Sequence, residues 1–334
     1  MTTIKQWTSR LLAGAAALLC AAATGDEVNL YTDRQEVFLR EVLTAHERES
    51  GDKVNVLFAK KGLLERAKAE GDSSPADVFL VTDIGRLLNF VDAELTAPAT
   101  DANIGDALNK NLRDPKGHWF AVTRRVRAIY AAPGAAVNTY TDLAKPENRG
   151  VCIRSGAHPY NNALFADMIS RHGRDDAAQW LRGLKTNLAR APQGKDRTQI
   201  NAVANGVCNF GIANSYYYFH MLANADEERK KTLRENVAML VPQDAHVNIT
   251  GMALARHAPN PEAGQRLMKF LLSDAAQQTL AEKNFEFPAR DEIPYPSPLS
   301  PYRKALENAP VSLPNIARHR RTASELVDET GFDR

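Results

Sequence analysis

The sequence predicts an α/β chain of two lobes joined by a hinge, on three observations. Short β-type runs alternate with helical runs between residues 27 and 94, a long apolar run studded with arginines follows, and the alternation restarts at residue 150. Set apart from an N-terminal leader, about 310 residues remain, more than one ordinary domain holds. Such alternation means a largely parallel sheet covered on both faces, with ligands at the carboxyl ends of its strands.

The leader comes first. Residues 1–25 carry Lys5 and Arg10, no acid, and then "LLAGAAALLCAAATG". A basic start, an apolar run of about 13 residues and small residues at its end describe a secretory signal peptide, with cleavage expected after Ala23 or Gly25. The run falls short of the ~20 residues a membrane-spanning helix needs. Cys20 follows Leu19, where a lipidation motif has a small residue, so no lipid anchor is expected. The mature chain is thus expected to be exported. Without Lys5 and Arg10, the 42 basic residues fall level with the 40 acidic ones, and this balance argues against a nucleic-acid partner. Cys152 and Cys208 remain, an even pair that favours one disulfide in an oxidising compartment, with two buried thiols as the alternative.

The elements follow in order. "EVNLYTD", "KVNVLFA" and "ADVFLVTD" read as strands, and "EVFLREVLTAHERES", "GLLERAKAEG" and "IGRLLNFVDAE" as the helices between and after them. The polar residues closing those strands, Thr32 to Gln35 and Thr82–Asp83, are candidates for a cleft. "WFAVTRRVRAIYAAP" reads as a strand crossing between lobes. After it come the strand "GVCIRS", helices from Tyr160, Asp175 and Asp196, and the strand "NFGIAN". "SYYYFHMLANADEERKKTL" reads as one helix, as does "PNPEAGQRLMKFLLSDAAQQTLAEKN", with "AMLVPQ" and "NITGMALARHA" as strands between them. A proline-rich loop, "FPARDEIPYPSPLSPY", and a charged helix, "SELVDETGF", complete the pattern. The "RHRR" run at 318–321 is expected on a solvated helix face. Two lobes hinged in this way suggest a solute-binding protein that closes on its ligand.

Three consecutive tyrosines, Tyr216 to Tyr218, stand at the start of a helix capped by Asn214 or Ser215. Deep in a helix adjacent side chains point about 100° apart, but at the non-helical entry two can lean toward one target. The helix start also favours an anionic group such as a phenolate. Ionising a tyrosine at pH 7 costs ~4 kcal/mol, which a hard trivalent cation can supply. Zinc prefers His and Cys, and magnesium and calcium prefer carboxylates and carbonyls; ferric iron takes phenolate. Tyr160 stands at a second strand-to-helix junction, after "SGA", whose amides can hold an anion. Tyr218 is expected to be structural, and Tyr31 to be packing.

These stretches bear a resemblance. "VNLYTDRQ", "SPADVFLVTDIGRL", "TRRVRAIY", "VCIRSGAHPYNNALF", "GVCNFGIANSYYYF" and "NITGMALARHAPN" resemble the periplasmic iron(III)-binding proteins of bacterial ABC transporters, over nearly the whole chain from about residue 27. The resemblance implies the two-lobed periplasmic solute-binding protein fold, type II and transferrin-like, with a hinge of crossing strands. It implies Fe3+ as cargo, held by Tyr160, Tyr216 and Tyr217 with a synergistic anion such as carbonate. It points to Arg125, Arg127, Ser155, Gly156, Ala157 and Asn214 for the anion, Arg125 first. The implied partner is the inner-membrane permease of an iron(III) importer, and a monomer is expected. Where many relatives place His, or His then Tyr, in the amino-terminal loop, Gln35 and Glu36 stand here. Thr82 and Asp83 stand where some relatives place Glu. The amino-terminal lobe is therefore expected to contribute polar contacts around the ligands, through Gln35 or Asp83. The expected division is 26–122 with 248–298 for that lobe, and 123–247 with 299–334 for the other, with a second hinge strand near Asn248–Met252.

Other chemistry finds no motif. The eight histidines form no HExxH or close pair, and neither a nucleotide loop nor a hydrolase elbow is present. An enzyme is not expected. The alternative within the same fold is a carrier of an anion or organic acid without metal.

Overall fold

The computed structural model describes residues 25–307, 309 and 312–334. The expected leader lies, Gly25 apart, outside the described residues, as does Cys20. In chain order the strands are β1 (Glu27–Thr32), β2 (Lys53–Phe58), β3 (Val78–Val81), β4 (Thr96–Ala97), β5 (Phe120–Ala131), β6 (Val151–Cys152), β7 (Phe210–Asn214), β8 (Ala238–Leu240), β9 (Val247–Ala255) and β10 (Phe287–Pro288). The helices from the first half are α1 (Arg40–Ser50), α2 (Leu63–Glu70), α3 (Ile84–Asp92) and α4 (Ala102–Asp106). Those from the second are α5 (Pro159–His172), α6 (Arg174–Thr186), α7 (Asp196–Ala204), α8 (Tyr216–Ala223), α9 (Glu227–Asn236), α10 (Pro261–Leu271), α11 (Asp274–Asn284), α12 (Arg303–Glu307) and α13 (Leu313–Glu329).

The main path of the sheet runs β2-β1-β3-β9-β5-β7-β6. β1 pairs in parallel with β2 and β3, as βαβ units must, and all four residues of β3 are buried, as expected of a strand covered on both faces. β9 runs antiparallel to β3 and then to β5, so Phe120–Val126 of β5 meets Val247–Met252. Beyond that point β5 leaves β9 and pairs with β7 over Arg127–Ala131. One long strand therefore belongs to both halves of the sheet, and a second returns beside it. Both crossing strands are buried along their whole length, which forces the three arginines of β5 into the interior.

Two helices expected to be continuous are interrupted. The run after Ser215 breaks between α8 and α9, where the Asp226 carboxylate accepts from the Arg229 amide and restarts the helix. The run after Pro261 breaks at Ser273, whose hydroxyl accepts from the Ala276 amide. Hydrophobic periodicity passes through both breaks because each cap costs only a few residues. The last helix is longer than "SELVDETGF" suggested and begins at Leu313. It lies across α5 and α3; Arg318 and Arg321 are exposed as expected, while the partly buried Arg320 donates to Asp83 and through Nε to Asn162 Oδ1 at 3.0 Å. The Cys152 and Cys208 sulfurs are bonded, tying β6 to the residues that lead into β7. None of the described helices is long and apolar enough to cross a membrane.

Candidate metal centre

β6 and β7 lie side by side and parallel, so the segments that leave their carboxyl ends emerge together. One leads into α5 and carries Tyr160; the other is α8 itself, beginning at Tyr216. This topology brings two sequence-distant helix starts to one place. The Tyr160 and Tyr216 hydroxyl oxygens are 3.4 Å apart. That is long for an O–H···O bond, but it leaves two phenols facing one volume. The Tyr216 and Tyr217 rings lie 4.3 Å apart between centroids, tilted by 37°, so adjacent side chains lean the same way at the helix entry. Tyr218 turns inward instead. It is buried and donates to the Val237 carbonyl at 3.2 Å, a packing role. Tyr31 is likewise buried, its hydroxyl on Glu70.

Cations surround the phenols. The guanidinium carbons of Arg125, Arg127 and Arg154 stand 5.6, 5.9 and 5.5 Å from the Tyr160 ring centroid, and that of Arg197 5.7 Å from the Tyr217 ring. Yet burial pushes the Tyr216 hydroxyl far above the ordinary range, with Tyr160 and Tyr217 adding to the shift and Arg125 opposing it. Tyr217 is raised in the same way, by burial first and then by Tyr160 and Asp196. Both are therefore neutral phenols at pH 7 until a cation displaces their protons. Beside them, burial and the Arg154 charge hold His158 down to about 4. It is a neutral ring whose Nδ1 accepts the Tyr160 amide at 3.2 Å.

The residues expected to hold an anion divide. Arg125 is 3% exposed, and its Nη2 is buried with no protein partner. Asn214 accepts from Arg127 through Oδ1 at 3.1 Å, but its Nδ2 is also buried and unpartnered. A small crevice lined by Arg125, Arg127, Tyr160, Asn214, His246 and Asn248 contains both. These orphaned donors beside Tyr160 could pair with a small oxyanion, which the crevice, too tight here for a water molecule, would have to open to admit.

The other expected residues differ in how far they are engaged within the protein. Arg127 is engaged within the protein: Nη1 donates to Asp196 at 2.7 Å and Nη2 to Asn161 Oδ1 at 2.6 Å. Asp196, fully buried, also accepts from Arg154 at 3.0 Å and from the Asn214 amide at 2.9 Å. Ser155, Gly156 and Ala157 do form an anion-holding loop, but the Asp333 carboxylate fills it, with Ser155 Oγ and the Gly156 amide both at 2.7 Å. Gln35 is exposed to solvent. Asp83 is buried and committed: it caps α3 through the Gly85 and Arg86 amides, and accepts from Asn248 and Arg320.

Sequence reading passed over Arg154, Asp196 and Asp333, and placed Arg34 in the Thr32–Gln35 cleft segment without its partner. Arg34 follows β1 and is clamped on Glu286 at 2.9 Å, with Thr250 at 3.1 Å. Burial works against its charge, but Glu286 outweighs that and holds it protonated. For Asp196 and Asp333 the partners are too distant in sequence to read. No group of three or more His, Cys, Asp or Glu able to hold a metal occurs among the described residues.

Comparison with known proteins places this geometry. Residues 73–316 match the family described as bacterial extracellular solute-binding protein. Iron uptake protein A1 of Synechocystis sp. is 33% identical over 316 residues, covering 92% of this chain and 87% of that one. A solved structure of a Bordetella ferric binding protein superposes with a TM-score of 0.84 at 39% identity, covering 92% of this chain and 100% of the other. A Trichodesmium protein in complex with iron and citrate superposes at 0.83 with 32% identity, covering 92% and 99%. These neighbours share the transferrin-like, two-lobed architecture that the crossing strands describe. By family the chain is a bacterial extracellular solute-binding protein, a component of transport and not an enzyme.

Proposed function

We propose that this chain captures ferric iron in the periplasm and delivers it to the permease of an ABC importer. Tyr160, Tyr216 and Tyr217 are its phenolate ligands, and a small anion, carbonate or citrate, sits on Arg125 and Asn214. The observation that carries this reading is the meeting of Tyr160 and Tyr216 at 3.4 Å from two separate helix starts. The names of the relatives, iron uptake and ferric binding proteins, support it. A carrier of anions alone is not favoured: it would leave three phenols gathered for no purpose.

The chemistry follows from charge. Three phenolates neutralise a trivalent ion, and each must lose its proton on binding, at a cost of at least ~4 kcal/mol before the metal repays it. The dry, cationic surroundings of Arg125, Arg127 and Arg154 steady the resulting anions. An oxyanion on Arg125 would close the remaining coordination positions against water and hydroxide. The lobes, 26–122 with 248–298 and 123–247 with 299–334, would close over the loaded site, giving the permease a surface that reports cargo.

The test is spectroscopic. Ferric nitrilotriacetate with bicarbonate added to the purified protein is expected to give a red-orange phenolate-to-iron charge-transfer band. Tyr216→Phe combined with Tyr217→Phe should remove it. A colourless wild-type mixture overturns the reading.

A further inference from the structure

The loop Ser155–Ala157 presents three donors toward one point, and the point is already taken. Ser155 Oγ donates to Asp333 Oδ2 at 2.7 Å, the Gly156 amide to Oδ1 at 2.7 Å, and the Ala157 amide to Oδ2 at 3.2 Å. Hydrogen bonds to an ionised carboxylate are roughly twice as strong as neutral ones, and here three converge. The segment that brings Asp333 is itself pinned. Phe332 is fully buried with its ring 5.4 Å from that of Phe165 on α5, and Lys185 Nζ holds the Thr330 and Gly331 carbonyls at 3.1 and 2.7 Å. Gly156 is gripped between these layers. A Cβ there would meet Val327, Phe332 and Phe165 at 2.9 to 3.1 Å, so no larger residue fits without displacing them.

The fixed loop leads straight into the tyrosine. The His158 amide donates to the Ser155 carbonyl at 3.2 Å, and Asn161 Nδ2 to the Arg154 and Ser155 carbonyls at 2.8 and 3.2 Å. His158 in turn holds the Tyr160 amide, and Asn161 receives Arg127. From Asp333 to Tyr160 every link is a hydrogen bond between neighbours.

We propose that Asp333 is a positioning residue for Tyr160: its carboxylate is the resident anion of the Ser155–Ala157 loop, fixing the entry to α5 and keeping soluble oxyanions out of that loop. This rests on the reading of Tyr160 as a ligand. Its consequence is specificity. With the loop filled from within the chain, the exchangeable anion of the loaded protein is confined to Arg125 and Asn214.

The experiment uses the mature protein with Asp333→Ala and Asp333→Asn. In iron-free Asp333→Ala, hydrogen exchange at the amides of residues 155–161 should rise by about tenfold or more, because the opening they need becomes easier. Millimolar formate, which replaces the missing carboxylate, should restore protection; chloride should not. Ferric affinity should fall by roughly 10- to 100-fold, the usual effect of losing a group that orients a ligand, and recover with formate. Asp333→Asn, which keeps one acceptor oxygen, should lie between. Unchanged exchange in Asp333→Ala overturns the proposal. So does raised exchange, rescued by formate, with iron affinity and colour untouched. Tyr160→Phe separates the two readings: if it leaves iron binding intact, the ligand assignment has failed, whatever Asp333 does to exchange.

Discussion

On the β1–β3 side of the crevice charged side chains are paired off: Asp33 with Arg86, Arg34 with Glu286, and Asp83 with Arg320. On the β5–β7 side Arg125 and Asn214 keep buried donors without partners, next to phenols that only a cation would ionise. The first arrangement balances each of these charges within the protein. The second is incomplete, and leaving buried polar atoms unpaired costs stability that a ligand can return. Burial alone does not separate a binding group from a structural one; whether its charge is already paired within the protein does. Arg125 and Arg127, two residues apart on one strand and 3% and 2% exposed, differ in just this respect.

The largest effect that would break this contrast is loss of the phenols. Tyr216→Phe with Tyr217→Phe should lower ferric affinity by well over ~100-fold, since even groups one shell removed cost ~10- to 100-fold. Competition against a chelator measures it.

Acid should act next. Because the free phenols are raised above their usual range, they are protonated throughout the neutral region, and each one that binds iron must release a proton. Affinity therefore falls as pH falls, by about tenfold per pH unit for each phenol displaced. A Tyr217→Phe variant should lose one such increment from the slope of log affinity against pH.

The two arginines sharpen the comparison. Arg127→Ala leaves fully buried Asp196 with Arg154 as its remaining cation, and should cost about 3 kcal/mol in denaturant unfolding. Arg125→Gln breaks no ion pair. It should change stability by less than ~1 kcal/mol, yet weaken iron binding by roughly 10- to 100-fold and blunt its dependence on bicarbonate. Smallest of all is Gln35→Ala. An exposed side chain should shift stability by less than ~0.5 kcal/mol and leave the colour unaltered.

These contrasts also mark what the sequence could reveal. The βα alternation, the crossing strand and the tyrosines at helix starts were legible because each is set by local pattern: strand periodicity, caps and the end of an apolar run. The roles of the arginines were not. Arg127 meets Asp196 across 69 residues and Ser155 meets Asp333 across 178, and no local pattern encodes such a meeting. The same holds for Arg320: its basic run is a surface at Arg318 and Arg321, but α13 lays Arg320 itself over the Asp83 cap. Interrupted helices were missed for a milder reason. Ser273 and Asp226 are good caps, but the apolar spacing on either side stays in phase.

The measurement that bears most directly on the central claim is a crystal structure of the protein loaded with ferric iron and bicarbonate, with anomalous diffraction recorded at the iron edge. We expect a single strong peak bonded to the oxygens of Tyr160, Tyr216 and Tyr217, with planar anion density on Arg125. A peak lying elsewhere, with those three hydroxyls still protonated and bound only to protein, would contradict it.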